Sequence, residues 1–233
     1  MARRIALGIA ATLLVVGCGT AARLGSAVPP GGAKVPGTAP AGGAASAGGL
    51  AARDWQSYFP GQVGHTWQYR TVAHPTDDPY VDYPGTHTVR VEASRQEAGR
   101  VEIDLREIDS YTTRYRFPRL IASPAGVDLV GVDYWGPVAT AIDSLSIPLL
   151  RFPLAVGSRW DDGAWMGKVI KEERVTVPAG TFDTVKLDVI GTHDQAYTAV
   201  GYYWLARGVG VVKSDYSIEG WLIETELTSA SRR

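Results

Sequence analysis

From residue 53 onward the chain alternates. Val101-Glu102-Ile103-Asp104-Leu105-Arg106 sets apolar and charged side chains in strict turn. Successive side chains of a strand point to opposite faces, so this pattern buries one face and wets the other. Val89-Arg90-Val91-Glu92 does the same just upstream, and Gln96 to Gly99 reads as the hairpin turn between them. Tyr111–Phe117, Val169–Val177, Phe182–Ile190, Tyr197–Leu205, Val209–Tyr216 and Trp221–Leu227 also read as strands. After residue 18 no stretch keeps a helical period over three turns; Ala139–Leu145 offers a helical turn or two. The expectation is an all-β fold: a single antiparallel half-barrel, barrel or sandwich of about ten strands.

The N-terminus obeys a different rule. Arg3-Arg4 precedes an apolar run from Ile5 to Val16, which ends at Gly17-Cys18. A basic start, a short apolar core and a small residue at the cut describe an export signal. As a helix that run rises about 18 Å, short of the ~30 Å hydrocarbon core, so a spanning helix is disfavoured. Arg3-Arg4 lacks the residues that follow a twin-arginine pair, which favours general secretion. Gly, Ala and Pro make up 24 of the 34 residues from 19 to 52, with no aromatic residue, the composition of a flexible linker spanning about 30–35 Å. The chain thus divides into a signal peptide (1–17), a tether (18–52) and one β domain (53–233).

Val15-Val16-Gly17-Cys18 resembles the lipobox of bacterial lipoproteins. The resemblance implies cleavage between Gly17 and Cys18, with a diacylglyceryl thioether on Cys18 as the membrane anchor. Cys18 is the sole cysteine, so an intrachain disulfide and a cysteine-based zinc site are both excluded. The implied location is outside the cytoplasm. The chain would be lipid-anchored to the cell membrane or outer membrane, with its domain in the periplasm or at the cell surface.

Charge narrows the partners. The net formal charge is −1, and the only charges in residues 1–52 are Arg3, Arg4, Arg23 and Lys34. The domain is therefore net acidic, with its bases interleaved among acids. Nucleic acid, which needs a clustered basic face, is not an expected partner.

Phe59-Pro60-Gly61-Gln62-Val63-Gly64-His65-Thr66-Trp67 finds an echo in Phe152-Pro153-Leu154-Ala155-Val156-Gly157-Ser158-Arg159-Trp160. Both have the form Phe-Pro-x-x-x-Gly-x-x-Trp. Either the domain has two related halves, or one turn is used twice. Reuse is favoured because the rest of the halves do not align. With Val175-Thr176-Val177-Pro178-Ala179-Gly180-Thr181-Phe182 and Tyr203-Trp204-Leu205-Ala206-Arg207-Gly208-Val209-Gly210, these motifs resemble a group of uncharacterised exported bacterial lipoproteins. That group is similar to the carriers LolA and LolB, whose sheet wraps an incomplete barrel around an apolar cavity. Trp67, Trp160, Tyr203 and Trp204 are the candidate apolar ligand-binding residues, for a lipid or another apolar molecule. Pro178 and Gly180 read as a kink or turn, and Gly208 and Gly210 as a bulge or positive φ.

Catalytic signals are thin. Gly163 to Val169 lacks the Ser/Thr of a phosphate loop, and Gly208-Val209-Gly210 lacks the rest of a dinucleotide fingerprint. His74, Asp77, Asp78, Asp82 and His87 crowd a Pro-rich loop without a metal-ligand spacing, so no metal is expected. His65 and His193 have no nucleophile elbow to serve, and Asp161-Asp162-Gly163 reads as a turn before a carboxylate pair. The expectation is a non-enzymatic envelope domain without cofactor that binds an apolar ligand or a protein partner. The alternatives are a scaffolding lipoprotein without a cavity, or an envelope-polymer hydrolase using His65, His193 or the Asp pair.

Overall fold

The computed structural model describes residues 57–231, apart from 79, 98, 111–114, 117, 131–145, 164, 194–196 and 219. The signal, the tether, Gly17, Cys18 and Ala139–Leu145 lie outside the described residues. Thirteen strands follow in order: β1 (Thr66–Pro75), β2 (Tyr83–Glu97), β3 (Arg100–Asp109), β4 (Tyr115–Arg116), β5 (Arg119–Ser123), β6 (Gly126–Val130), β7 (Ser146–Arg151), β8 (Arg159–Asp161), β9 (Trp165–Val177), β10 (Gly180–His193), β11 (Tyr197–Ala206), β12 (Gly210–Ile218) and β13 (Trp221–Ser231). Five of the strands, β1, β5, β6, β7 and β8, were not among the segments read as strands from the sequence, and β5, β6 and β8 are only three to five residues long. Such runs are too short to show a period.

All strands join one antiparallel sheet in the order β7-β6-β5-β3-β2-β1-β13-β12-β11-β10-β9-β8, with β4 pairing β3. Two meanders of six strands therefore meet where β1 pairs β13. The far edges, β7 and β8, come together and nearly close a barrel. No ladder joins them; instead the Trp160 indole Nε1 donates to the Pro148 carbonyl at 3.2 Å. Proline in a strand belongs on an edge, and Pro148 lies on edge strand β7.

The echoed motif opens each meander with one local structure. Gly64 (φ 85°) and Gly157 (φ 91°) both adopt the left-handed region. Gly64 N donates to Val91 O and Gly157 N to Val169 O, each at 2.9 Å. His65 N reaches back to Gln62 O as Ser158 N does to Ala155 O. Trp67 and Trp160 then point inward. The same turn is used twice, at equivalent places in the two meanders.

Alternation then builds the inside. Val89 and Val91 of β2, Ile103 and Leu105 of β3, and Ile223 and Leu227 of β13 are buried, while the charged residues between them face out. At one end the tip of the β11–β12 hairpin folds inward. Trp67 Nε1 donates to Val209 O at 2.5 Å and Tyr69 Oη to Val211 O at 3.0 Å. β13 lies between β1 and β12 in the sheet, so these bonds require the start of β12 to leave the ladder; its pairing with β13 begins only at Lys213. Gly208 and Gly210 supply the positive φ of that bend (75° and 98°), and a bulge sits opposite Trp204 and Leu205. Gly208 N donates to Ser57 O, so the chain enters the domain at this same end.

The outer face is wet. Arg70–Glu226 and Lys171–Glu173 pair on it in mid-strand, and Asp104, in the middle of β3, takes Arg95 and Arg119. Charges at mid-strand are costly against hydrocarbon, so this barrel is not built to stand in a bilayer.

Candidate functional site

The interior is mostly apolar, and the part near the folded-in hairpin is packed. Among the described residues, two partly open spaces in it measure about 20 Å3 each. One is lined by Phe59, Leu149, Leu187, Tyr203, Leu205 and Val211, the other by Phe59, Trp67, Tyr69, Val89, Leu105 and Val211. Each has the room of a single water, against the several hundred Å3 of an ordinary ligand pocket.

Beyond it runs a layer that sequence inspection missed. Thr71, Thr225, Ser214 and Tyr203 stand in register across β1, β13, β12 and β11. The three smaller hydroxyl residues are buried, as are His87 on β2 and Glu107 on β3. Glu107 was legible in principle, because it shares the inward parity of Ile103 and Leu105 and puts a carboxylate where the pattern promises an apolar residue. Burial, and then the Glu107 carboxylate, push the Tyr69 phenol far above its ordinary value; burial alone does so for Tyr203.

The four candidate aromatic residues do not share a cavity. Trp67 and Trp160 face inward, but at different places: Trp67 at the folded-in hairpin, Trp160 at the β7–β8 seam. Tyr203 lines the apolar interior. Trp204, one residue later, faces the other way. It stands between the ammonium groups of Lys186 (4.4 Å) and Lys213 (5.3 Å) and donates to Glu173 Oε1 at 2.8 Å. Its burial comes from charged side chains lying over it, which cover apolar area with their stems.

The hydrolase candidates stay apart. His65 is buried against the Trp67 ring, with centroids 4.3 Å apart, at the start of β1. Asp161 and Asp162 lie at the opposite end of the barrel and hold a turn. Asp161 Oδ1 accepts from Gly163 N and Asp162 Oδ1 from Trp165 N, both at 2.7 Å. The side chain of His193 lies outside the described residues. In the Pro-rich loop His74 Nδ1 lies 2.9 Å from Asp82 Oδ1, whereas His87 points into the barrel. Among the described residues no three His, Cys, Asp or Glu side chains gather as a metal site.

That loop belongs to a lip at the end away from residue 57. The β1–β2 connection and the β12–β13 turn are tied by Thr76, whose N and Oγ1 donate to Gly220 O at 2.7 and 3.0 Å. Tyr83 meets Trp221 edge-on, with centroids 5.6 Å apart. Tyr80 is 93% exposed and Leu222 38%. Asp77, Asp78 and Asp82 are exposed around them. Residues 74–86 and 214–224 contain no Lys or Arg.

Residues 166–226, which run from β9 into β13, match a family model described as DUF3108-like. Among curated proteins, none matches the chain. Three crystal structures are similar to this chain. One, from Bacteroides fragilis, is described as an exported protein with a YmcC-like fold; it is 15% identical, with 76% of this chain and 99% of that one covered, at a TM-score of 0.49. A second, described as a lipoprotein of Parabacteroides distasonis, is 14% identical over 75% and 98%, at 0.44. A third, a beta-barrel-like protein of the domain of unknown function DUF1849 from Brucella abortus, is 9% identical over 72% and 97%, at 0.39.

Proposed function

We propose that this chain is an exported, lipid-anchored β domain of the bacterial envelope that acts without catalysis, by engaging a protein partner. The lipobox-like Val15-Val16-Gly17-Cys18 supports export and anchoring through Cys18. The observation that carries the choice of a partner over an internal ligand is the packed apolar interior, where the two spaces among the described residues have room for about one water each. The separation of His65 from the Asp161–Asp162 turn favours this reading over a hydrolase.

Native mass spectrometry of the anchored protein, gently released from its membrane, tests the choice. The expected spectrum is the mature chain carrying only its Cys18 modification. A co-purified apolar molecule, lost on replacing Trp67, Trp160 or Tyr203, would instead favour an apolar-ligand carrier.

A further inference from the structure

We infer that the lip of the barrel formed by the β1–β2 connection and the β12–β13 turn is the docking surface, and that its partner presents a cationic segment rich in Arg or Lys. The inference rests on the partner-binding reading above and gives it a place and a chemistry.

Three observations carry it. First, the lip exposes large apolar side chains: Tyr80 is 93% exposed, Tyr83 and Leu222 each 38%, and the Tyr83–Trp221 pair stands at the mouth. Large exposed aromatic groups gathered at one place mark interaction surfaces more than stability does. Second, charge selects the occupant. Exposed Asp77, Asp78 and Asp82 lie in the same connection as Tyr80 and Tyr83, Glu224 flanks Leu222 next but one along β13, and His74 is the sole basic side chain among residues 74–86 and 214–224. An aromatic face beside carboxylates suits guanidinium and ammonium groups, which stack on the ring and pair with the acid. An anionic lipid surface would be repelled by the same acids. Third, the chain enters the domain at the other end, where Ser57 O accepts from Gly208 N. A domain tethered through residues before 57 has its lip at the end remote from the attachment point.

The test has two arms, both on the full chain. In the first, a photo-crosslinking residue replaces Tyr80 or, at the opposite end, Val156, which is 58% exposed. Crosslinking is done in cells. Adducts from Tyr80 to an Arg- or Lys-rich protein segment, lost in the triple variant Asp77→Asn, Asp78→Asn, Asp82→Asn, are expected. Adducts to lipid, to a segment without basic residues, or to protein with no loss in the triple variant overturn the inference. Adducts from Val156 alone overturn the lip but keep a partner; protein adducts from neither position overturn the partner reading itself. In the second arm a peptide of alternating Gly and Arg is titrated onto purified protein. Binding should weaken about tenfold in the triple variant and in Tyr83→Ala, and fall with added salt, while the Gly-Glu peptide does not bind. Equal affinity of the Arg peptide for wild type and triple variant, or no affinity for either, overturns the cation chemistry. Thermal midpoints equal to wild type establish that these exposed substitutions leave the fold intact.

Discussion

Trp160 occupies the space that a side chain on Gly167 would need. The two residues pair directly between β8 and β9, and a Cβ on Gly167 would stand 1.9 Å from the indole. Trp165 stands in the same relation to Gly191, at 1.8 Å, in register between β9 and β10. Each indole thus covers the facing glycine of the neighbouring strand, as aromatic residues do where sheet glycines would otherwise be left bare.

Gly167→Ala and Gly191→Ala should each destabilise the domain by about 3 kcal/mol, since a rigid ring must leave its place. Gly99→Ala provides the contrast. Nothing lies within 4 Å of a Cβ there, and only the positive φ of 84° is strained. It should cost about 1 kcal/mol. Urea midpoints check the order; equal losses at all three sites would refute the packing account.

The seam should be the first part of the barrel to open. Trp160→Phe removes the donor to Pro148 O and leaves that carbonyl buried, at a cost of about 1–3 kcal/mol. Hydrogen exchange should quicken in β6 and β7 before it does in β1 and β13, the strands at the junction of the two meanders. Uniform acceleration across the sheet would count against a local latch.

The folded-in hairpin depends on two side-chain donors. Tyr69→Phe removes only the hydroxyl that binds Val211 O, and should cost about 1–2 kcal/mol. Amides of Leu205 to Lys213 should then exchange faster. Trp67→Phe should repeat the effect through Val209 O, and the double variant should lose less than the sum, because both bonds hold one element.

Acid should loosen the outer aromatic site. Hydrogen bonds from Lys171 first and Trp204 second hold the Glu173 carboxyl below its ordinary value. A depressed carboxylate contributes stability at pH above its unfolded value and loses it as pH falls through its folded one. Trp204 emission should therefore change in the acid range below that ordinary value. Glu173→Gln should remove that step while leaving the remaining acid unfolding in place. An unchanged titration in the variant would assign the step elsewhere.

Much of the architecture was legible because strand periodicity is local. Val101, Ile103 and Leu105 announce an inward face wherever β3 is placed, and Pro178-Ala179-Gly180 announces the turn that separates β9 from β10. The two Phe-Pro-x-x-x-Gly-x-x-Trp motifs marked the opening of both meanders, because Gly64 and Gly157 each need a positive φ that a turn provides. β5, β6 and β8 were illegible: five residues or fewer cannot display a period.

The sequence by itself determined an all-β chain, since strand alternation rests on near-neighbour spacing. Only the tertiary structure decided what the aromatic residues do. Tyr203 and Trp204 are adjacent, yet one lines the interior and the other lies among Lys186, Lys213 and Glu173, because each step along a strand reverses the face. Their composition was equally apolar, and the register of β10, β11 and β12 chose between them. The same holds for Tyr83 and Trp221. They are far apart in the chain, and they meet at the lip because β1 and β13, the first and last strands, pair at the junction of the two meanders.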